Sequence, residues 1–350
     1  MPLRSRTRKQ SAATIKDVAE LAGVSAMTVS RVLNDKDKVR PETRDRVLAS
    51  IEALNYTPNL SARGLVKSRS FFIALFYNNP SQGYVSELLL GLLNRCRQAG
   101  YHLVIENCGP KESDWEGGID AMLAASHFDG VILTPPVSDY SSVRAALAEA
   151  QLPYVCIAPE KEIGAAPFVE TDDFVSAAGM TRHLIELGHQ RIGFIKGPPE
   201  HGSSAKREAG FRAAMREANL PVSEECVVSG DYSYRSSLEA SEALLALTQR
   251  PTAIFASNDD MAAAVIATAH RHALSVPDDL SVAGFDDTQI AATIWPHLTT
   301  VRQPIEAMAE TAMDLLSEAW KADRAPEKAQ GIVIPSELVI RDSVAGRKAE

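Results

Sequence analysis

Arg207, Asn258 and Asp286 are the side chains of this 350-residue chain best placed to do specific chemistry. Each lies just beyond a short apolar run. RIGFIKG (191–197) precedes Ser203 and Arg207, TAIFAS (252–257) precedes Asn258 and Asp259, and LSVAGF (280–285) precedes Asp286 and Asp287. A guanidinium and a carboxylate converging on one cleft can grip vicinal hydroxyls or a small heterocycle through charge-assisted hydrogen bonds. Tyr84 and Tyr232 are candidates to stack on the face of such a ligand, and Gln303 joins the candidate set. Trp295 is a further stacking candidate, with core packing an equal alternative. Asn and Asp are also common helix caps at strand-to-helix junctions, and for Asp259 and Asp287 the two readings stand level. Acid pairs at 172–173, 259–260 and 286–287 have the chemistry for acid/base work, but their positions and the Arg207 partner suit binding without turnover.

A second constellation lies in residues 14–34, TIKDVAELAGVSAMTVSRVLN. Thr14 with Asp17 makes a near capping box, and Ile15, Val18, Ala19 and Ala22 fall on one apolar face at helical spacing. Gly23 supplies a turn where positive φ is cheap. Ser25 caps a second helix, whose Val29, Val32 and Leu33 point back at the first. The outer face then shows Ala26, Met27, Thr28, Ser30 and Arg31. Two short helices with a packing face and a small polar face predict a helix-turn-helix, its second helix sized for a major groove. Pro41 opens a third helix to about Leu54, packing through Val47, Leu48 and Ile51. A domain of these three helices is small for independent stability.

The elements that must position the first set begin at Phe71. FFIALF (71–76), HLVIEN (102–107), GVILT (130–134) and PYVCIA (153–158) read as buried strands, with amphipathic stretches near 84–99, 115–126 and 140–150 between them. The alternation continues through RIGFIKG, ECVVSG (225–230), TAIFAS and LSVAGF. Such alternation predicts an α/β core of parallel sheets covered by helices, in two lobes. Ligands bind such sheets beyond the carboxyl ends of the strands. The predicted organisation is a headpiece over 1–56, a linker or hinge over 57–70, and a two-lobed ligand-binding and dimerisation core over 71–350.

The net charge of −9 hides an asymmetry. Residues 1–70 carry 14 lysines and arginines against 7 acids, whereas the remainder carries 22 against 38. A basic module on an acidic body suits a reader of nucleic acid whose other domain stays off it. Cys96, Cys108, Cys156 and Cys226 are far apart, so neither a zinc site nor a disulfide framework is expected, and no cofactor or metal is implied. Met1 to Lys9 is basic without a following apolar run, and no segment approaches the roughly 20 apolar residues of a membrane helix. A cytoplasmic protein is expected. Phosphate-loop, dinucleotide-loop, zinc-protease and serine-hydrolase motifs are absent from the sequence, so an enzyme is not the expected class.

The wording of these motifs resembles the lactose, galactose and purine repressor family of bacterial transcriptional regulators. Residues 14–34 match every fixed position of T-I-x-D-V-A-x-x-A-G-V-S-x-x-T-V-S-R-V-L-N, and SSAKREAGF around Arg207 fits R-x-x-G-[FW]. The resemblance covers nearly the whole chain. It implies a periplasmic-binding-protein-like core with crossing strands near 168–172, 300–305 and 331–336. It implies DNA contacts from Thr14, Ser25, Ala26, Met27, Thr28, Ser30, Arg31 and Asn34, and from Asn59, Ala62 and Leu65 of a hinge helix that forms on operator DNA. There Leu65 would wedge into the minor groove, although Gly64 is a poor helix former. Ligand contacts would come from Tyr84, Ser203, Arg207, Tyr232, Asn258, Asp286 and Gln303. Ala158 stands where the family often has an acid, which departs from the best-known pockets. The sequence SVAGRKAE shows no leucine heptad, so a homodimer on a pseudo-palindromic operator is expected. The expected function is a repressor released by a small sugar. The alternatives are a purine- or nucleoside-responsive, co-repressed regulator, and a sugar-binding module without regulation.

Overall fold

The computed structural model describes residues 13–34, 39–56, 69–109, 112–115, 118–161, 163–320 and 330–347. The chain forms two compact units, Met1–Ser70 and Phe71–Glu350. Asn59, Ala62, Gly64 and Leu65, with the hinge helix expected there, lie outside the described residues.

In the first unit, α1 (Ile15–Ala22) starts on a complete capping box, with Thr14 and Asp17 bonded reciprocally. It stops at Gly23, whose φ of 63° is left-handed and whose N–H returns to Ala19 and Glu20 carbonyls. Helices α2 (Ala26–Asn34) and α3 (Pro41–Ala53) complete the unit. Val18, Ala19, Ala22, Val29, Val32 and Val47 form its core, with Ile15, Leu33, Ile51 and Leu54 packed around them. Two expectations are corrected. Leu48 is 39% exposed, and Ser50 is buried in its place. Positions 47, 50, 51 and 54 share a helical stripe that residue 48 leaves by about a quarter turn. Ala26 is half-buried against the core rather than on the outer face; its spacing of three and seven to Val29 and Leu33 puts it at the edge of the packing stripe.

The second unit holds two six-stranded sheets. The first lobe runs β1 (Phe72–Tyr77), α4 (Gln82–Ala99), β2 (His102–Asn107), α5 (Gly118–Ala125), β3 (Gly130–Leu133), α6 (Ser141–Glu149), β4 (Tyr154–Ile157) and β5 (Phe168–Glu170). The second runs α7 (Asp173–Glu186), β6 (Ile192–Lys196), α8 (Gly202–Glu217), β7 (Val227–Ser229), α9 (Tyr234–Leu245), β8 (Ala253–Ala256), α10 (Asp259–Arg271), β9 (Ser281–Asp286), α11 (Gln289–Thr293) and β10 (Thr299–Arg302). Helix α12 (Ile305–Ala319) returns to the first lobe, as does β11 (Gly331–Val333), and β12 (Glu337–Val339) ends in the second. The chain therefore crosses between lobes three times, after Glu170, Arg302 and Val333.

Strand order is β11-β5-β4-β3-β1-β2 in the first lobe, parallel throughout. In the second it is β12-β10-β9-β8-β6-β7, with only β12 antiparallel. Central strands are apolar at consecutive positions because helices cover both faces. HLVIEN forms β2 but is not buried. It is the sheet's edge, and its residues are all exposed or half-buried. The second-lobe core stacks Phe194 on Phe211 at 4.8 Å and sets Phe255 edge-on at 5.4 Å. Each such fully buried ring is worth about 1.5–3 kcal/mol of transfer free energy. In the first lobe α12 lies tightly on α4, where a Cβ on Gly91 would come within 2.9 Å of the Glu306 carbonyl oxygen.

Each sheet reverses its strand order once, between β1 and β3 and between β6 and β8. Loops leaving such a point diverge to opposite faces and open a crevice.

Candidate functional site

The loops at these two crevices enclose one narrow cavity between the lobes, about 420 Å³ of empty space with its mouth included. Tyr84, Ser203, Arg207, Tyr232, Asn258, Asp286 and Gln303 all line it. Residues not anticipated as ligand contacts line it too: Asn79, Ser81 and Pro135 from the first lobe, and Asp173 and His201 from the second. Their signals in the sequence were faint. NNPSQG follows β1 and PPEHGSS follows β6, both as polar loops after apolar strands, and Asp173 is half of an acid pair after a crossing strand.

Arg207 organises the second-lobe wall. It projects from α8 and is only 5% exposed. Its Nε donates to Asp173 Oδ1 at 2.7 Å, its Nη1 donates to the Ser257 carbonyl at 2.5 Å, and Nη1 lies 3.6 Å from Asp286 Oδ1. The guanidinium carbon sits 3.7 Å from the Phe285 ring centroid, a cation–π contact that supports the charge from below. One cation between two buried carboxylates leaves no surplus positive charge. Burial pushes the Asp286 carboxyl up to about 7, against the opposing pull of Arg207 and of the Gln303 amide. Gln303 Nε2 donates to Asp286 Oδ1 at 2.6 Å. Burial likewise holds the His201 imidazole down to about 4, helped by Arg207, so the ring is neutral near pH 7.

Three lining residues adopt left-handed backbone: Ala158 (φ 44°), Tyr232 (φ 67°) and Asp286 (φ 114°). Such conformations cost about 1–3 kcal/mol each and persist only where neighbours enforce them. Here Ala158 N–H donates to Val169 O, Asn258 Nδ2 donates to Tyr232 O, and Gln303 N–H donates to Asp286 O. Asn258 is thus a wall residue and a cap together, since its Oδ1 also accepts from Met261 N at the start of α10.

The remaining acids separate. Asp259 is buried away from the cavity. It accepts from Thr288 N–H at 2.8 Å and Thr300 Oγ1 at 2.6 Å, and it fits because a Cβ on Gly284 would lie 2.4 Å from its Oδ1. Burial raises its carboxyl well above the usual range. Asp287 pairs with Arg302 and Arg341. Both are structural. Trp295 is 72% exposed, neither in the core nor on the cavity, because α11 ends at Thr293 and releases it into the following loop.

On the first unit, Thr14 and Ser25 are engaged as caps, Ser25 Oγ accepting from Thr28 N–H at 3.2 Å. Met27, 66% exposed, and Arg31 present one face of α2 at a spacing of four, with Ser30 half-buried beside them. The Asn34 side chain lies outside the described set. Among the described residues no cluster of His, Cys, Asp or Glu could hold a metal ion, and no helix is long and apolar enough to cross a membrane.

A helix-turn-helix unit joined in one chain to a two-lobed binder defines a class, the ligand-responsive DNA-binding regulator. Comparison with known proteins narrows it. Residues 14–59 match the model of bacterial regulatory proteins of the lacI family, and residues 181–344 match a periplasmic binding protein-like domain. The chain is 34% identical to the HTH-type transcriptional repressor PurR of Photobacterium profundum, over 95% of this chain and 98% of that one. A solved complex of the transcriptional regulator CelR with cellobiose superposes with a TM-score of 0.71 at 30% identity, covering 95% and 99% of the two chains. The lac repressor dimer bound to operator and the anti-inducer ONPF superposes at 0.80 with 27% identity, covering 96% and 100%. The chain belongs to the lacI family of bacterial regulatory proteins, DNA-binding transcriptional regulators.

Proposed function

We propose that this protein is a cytoplasmic, homodimeric repressor that leaves a pseudo-palindromic operator when a small neutral sugar occupies the interlobe cavity. The observation that carries the ligand class is the charge balance of the wall. Arg207 is already paired with Asp173 and Asp286, so a phosphate or carboxylate would find no free positive charge, whereas sugar hydroxyls can both donate and accept there. The described cavity wall has no pair of stacked aromatic plates for a flat base. The cellobiose complex of CelR and the operator-bound dimer of the lac repressor support the same reading. In this reading Met27 and Arg31 enter the major groove, and Arg31 contacts a guanine edge bidentately.

The first lobe begins directly after the segment that joins it in the chain to the headpiece. A ligand that changes the set of the two lobes thereby changes the population of the DNA-competent dimer, by no more than its differential affinity for the two states, typically about 1–3 kcal/mol. The test combines gel shifts on an operator selected from random DNA with calorimetric titration of sugars. Asp286→Ala should abolish release while ligand-free operator binding stays within a few-fold. Unchanged sugar affinity in both Asp286→Ala and Arg207→Ala would place the effector elsewhere. Arg31→Ala should cost about 1–3 kcal/mol of discrimination at one base pair per half-site; equal weakening on all sequences would make Arg31 a phosphate contact.

A further inference from the structure

A second, wider cavity of about 910 Å³, its open side included, shares Asn79 and His201 with the narrow one. This outer space lies at the same crevice, beyond the ends of β1, β2 and β3 in one lobe and of β6 and β7 in the other. Among the described residues its walls carry no lysine or arginine. Three prolines, Pro80, Pro136 and Pro198, give it rigid apolar faces, and Asn107, Glu200 and Asp231 give it acceptors and one amide donor. Apolar plates edged by acceptors match a sugar ring, which shows C–H faces and a rim of hydroxyl donors. A phosphorylated or uronic unit would face two carboxylates with no counter-charge.

His201 stands where the two cavities meet, lining both. It is 4% exposed, and its ring packs edge-on against Tyr232 at 5.3 Å. Among the described residues neither ring nitrogen has a hydrogen-bond partner. Neither nitrogen is among the fully buried polar atoms without a partner, so both keep access to the cavities the ring lines, where a ligand can bond them. A neutral imidazole offers one donor and one acceptor, which suits a hydroxyl or a glycosidic oxygen at the junction.

We propose that the outer cavity is a second ligand subsite, that His201 reads the junction, and that the effector is a neutral sugar of at least two units. The proposal rests on the sugar reading above and deepens it. One unit is held by the Arg207–Asp286 wall, and the next lies between the prolines with its hydroxyls toward Asn107 and Glu200. The specificity follows from length. A single ring fills the inner cavity and leaves the outer acceptors to water.

The test is calorimetric titration of the full-length protein with xylose, glucose and galactose and with xylobiose, cellobiose, maltose and lactose. At least one disaccharide should bind tenfold or more tighter than its constituent monosaccharides. Glu200→Ala and Asn107→Ala, both at exposed positions, should each weaken that disaccharide by about three- to tenfold, the worth of one hydrogen bond, and leave monosaccharide binding unchanged. His201→Ala should weaken the disaccharide more strongly than either, and His201→Gln, which keeps a donor and an acceptor, should recover part of the loss. A monosaccharide as the tightest ligand, unaffected by Glu200→Ala and Asn107→Ala, overturns the second subsite and leaves the sugar reading standing. Failure of every neutral sugar to bind overturns both.

Discussion

The two lobes contribute unequally to the cavity they share. Among the described residues the second lobe supplies every carboxyl, imidazole and guanidinium group of the wall, Asp173, His201, Arg207 and Asp286, with Gln303 bonded to one of them. The first supplies Asn79, Ser81, Tyr84, Pro135 and Ala158, none charged near pH 7. One lobe is built to grip and the other to cover. The difference assigns the charge-paired wall of the cavity to one lobe and the neutral wall to the other. Polar bonds also join the two lobes directly. Ser81 Oγ donates to Asp260 Oδ2 at 2.6 Å, and Lys206 of the second lobe pairs with Glu160 at 2.6 Å and Glu170 at 3.0 Å. Glu160 is itself fixed from behind, since Asp139 Oδ1 accepts the N–H groups of Glu160 and Lys161 while pairing with buried Arg144.

The largest expected effect is on the gripping wall. Arg207→Ala leaves Asp173 and Asp286 buried without their cation, and should cost about 3–5 kcal/mol of stability together with the ligand response. Urea unfolding and calorimetry on the same variant measure both. A loss below about 1 kcal/mol would show that the wall is not held by charge. Asp259→Asn should come next, at about 1–3 kcal/mol from the disturbed bonds to Thr288 and Thr300, with sugar affinity kept. Loss of affinity without loss of stability would move Asp259 from scaffold to site.

Asp286→Asn tests the wall through pH. The folded carboxyl titrates near 7, above its value of about 3.9 in the unfolded chain. The folded state therefore keeps a proton that the unfolded state releases. Stability falls as pH rises from about 4 to 7 and levels beyond. Glu87, raised to about 7 by burial and by Asp287 and Glu306, acts with the same sign. Asp286→Asn should flatten melting temperature across pH 5–7 by at most about 1.4 kcal/mol per pH unit; an unaltered slope would assign it to Glu87 and Asp259. The covering lobe should yield the smallest effect. Ser81→Ala removes one interlobe bond and should weaken sugar binding by about 0.5–1.5 kcal/mol, leaving stability nearly intact. An effect as large as that of Arg207→Ala would end the distinction between grip and cover.

Much of this architecture was readable from residue order. Helix α1, its capping box and its left-handed Gly23 follow from local chemistry within ten residues, and the eight core runs named from apolar patterning all became strands. What patterning misjudged were degrees of cover, as with β2 at a sheet edge, Leu48 turned to solvent and Ala26 drawn toward the core. The strands β5, β11 and β12 are three residues long, too short for a period to show, and only the family resemblance located crossings there.

The sequence alone determined the longer elements and the two units, because caps, turns and apolar periodicity act over a few residues, and with the family resemblance it picked out seven side chains that line the cavity. Tertiary structure alone decided which acids face the cavity. Asp173, Asp259, Asp286 and Asp287 have the same side chain and follow similar signals, yet Asp259 was claimed by Thr288 and Thr300, Asp287 by Arg302 and Arg341, and only Asp173 and Asp286 by Arg207. These partners are 15 to 79 residues away in the chain, with Asp173 reaching Arg207 across 34. A buried carboxylate must find a donor or a counter-charge, and which one it finds depends on contacts that no local spacing encodes.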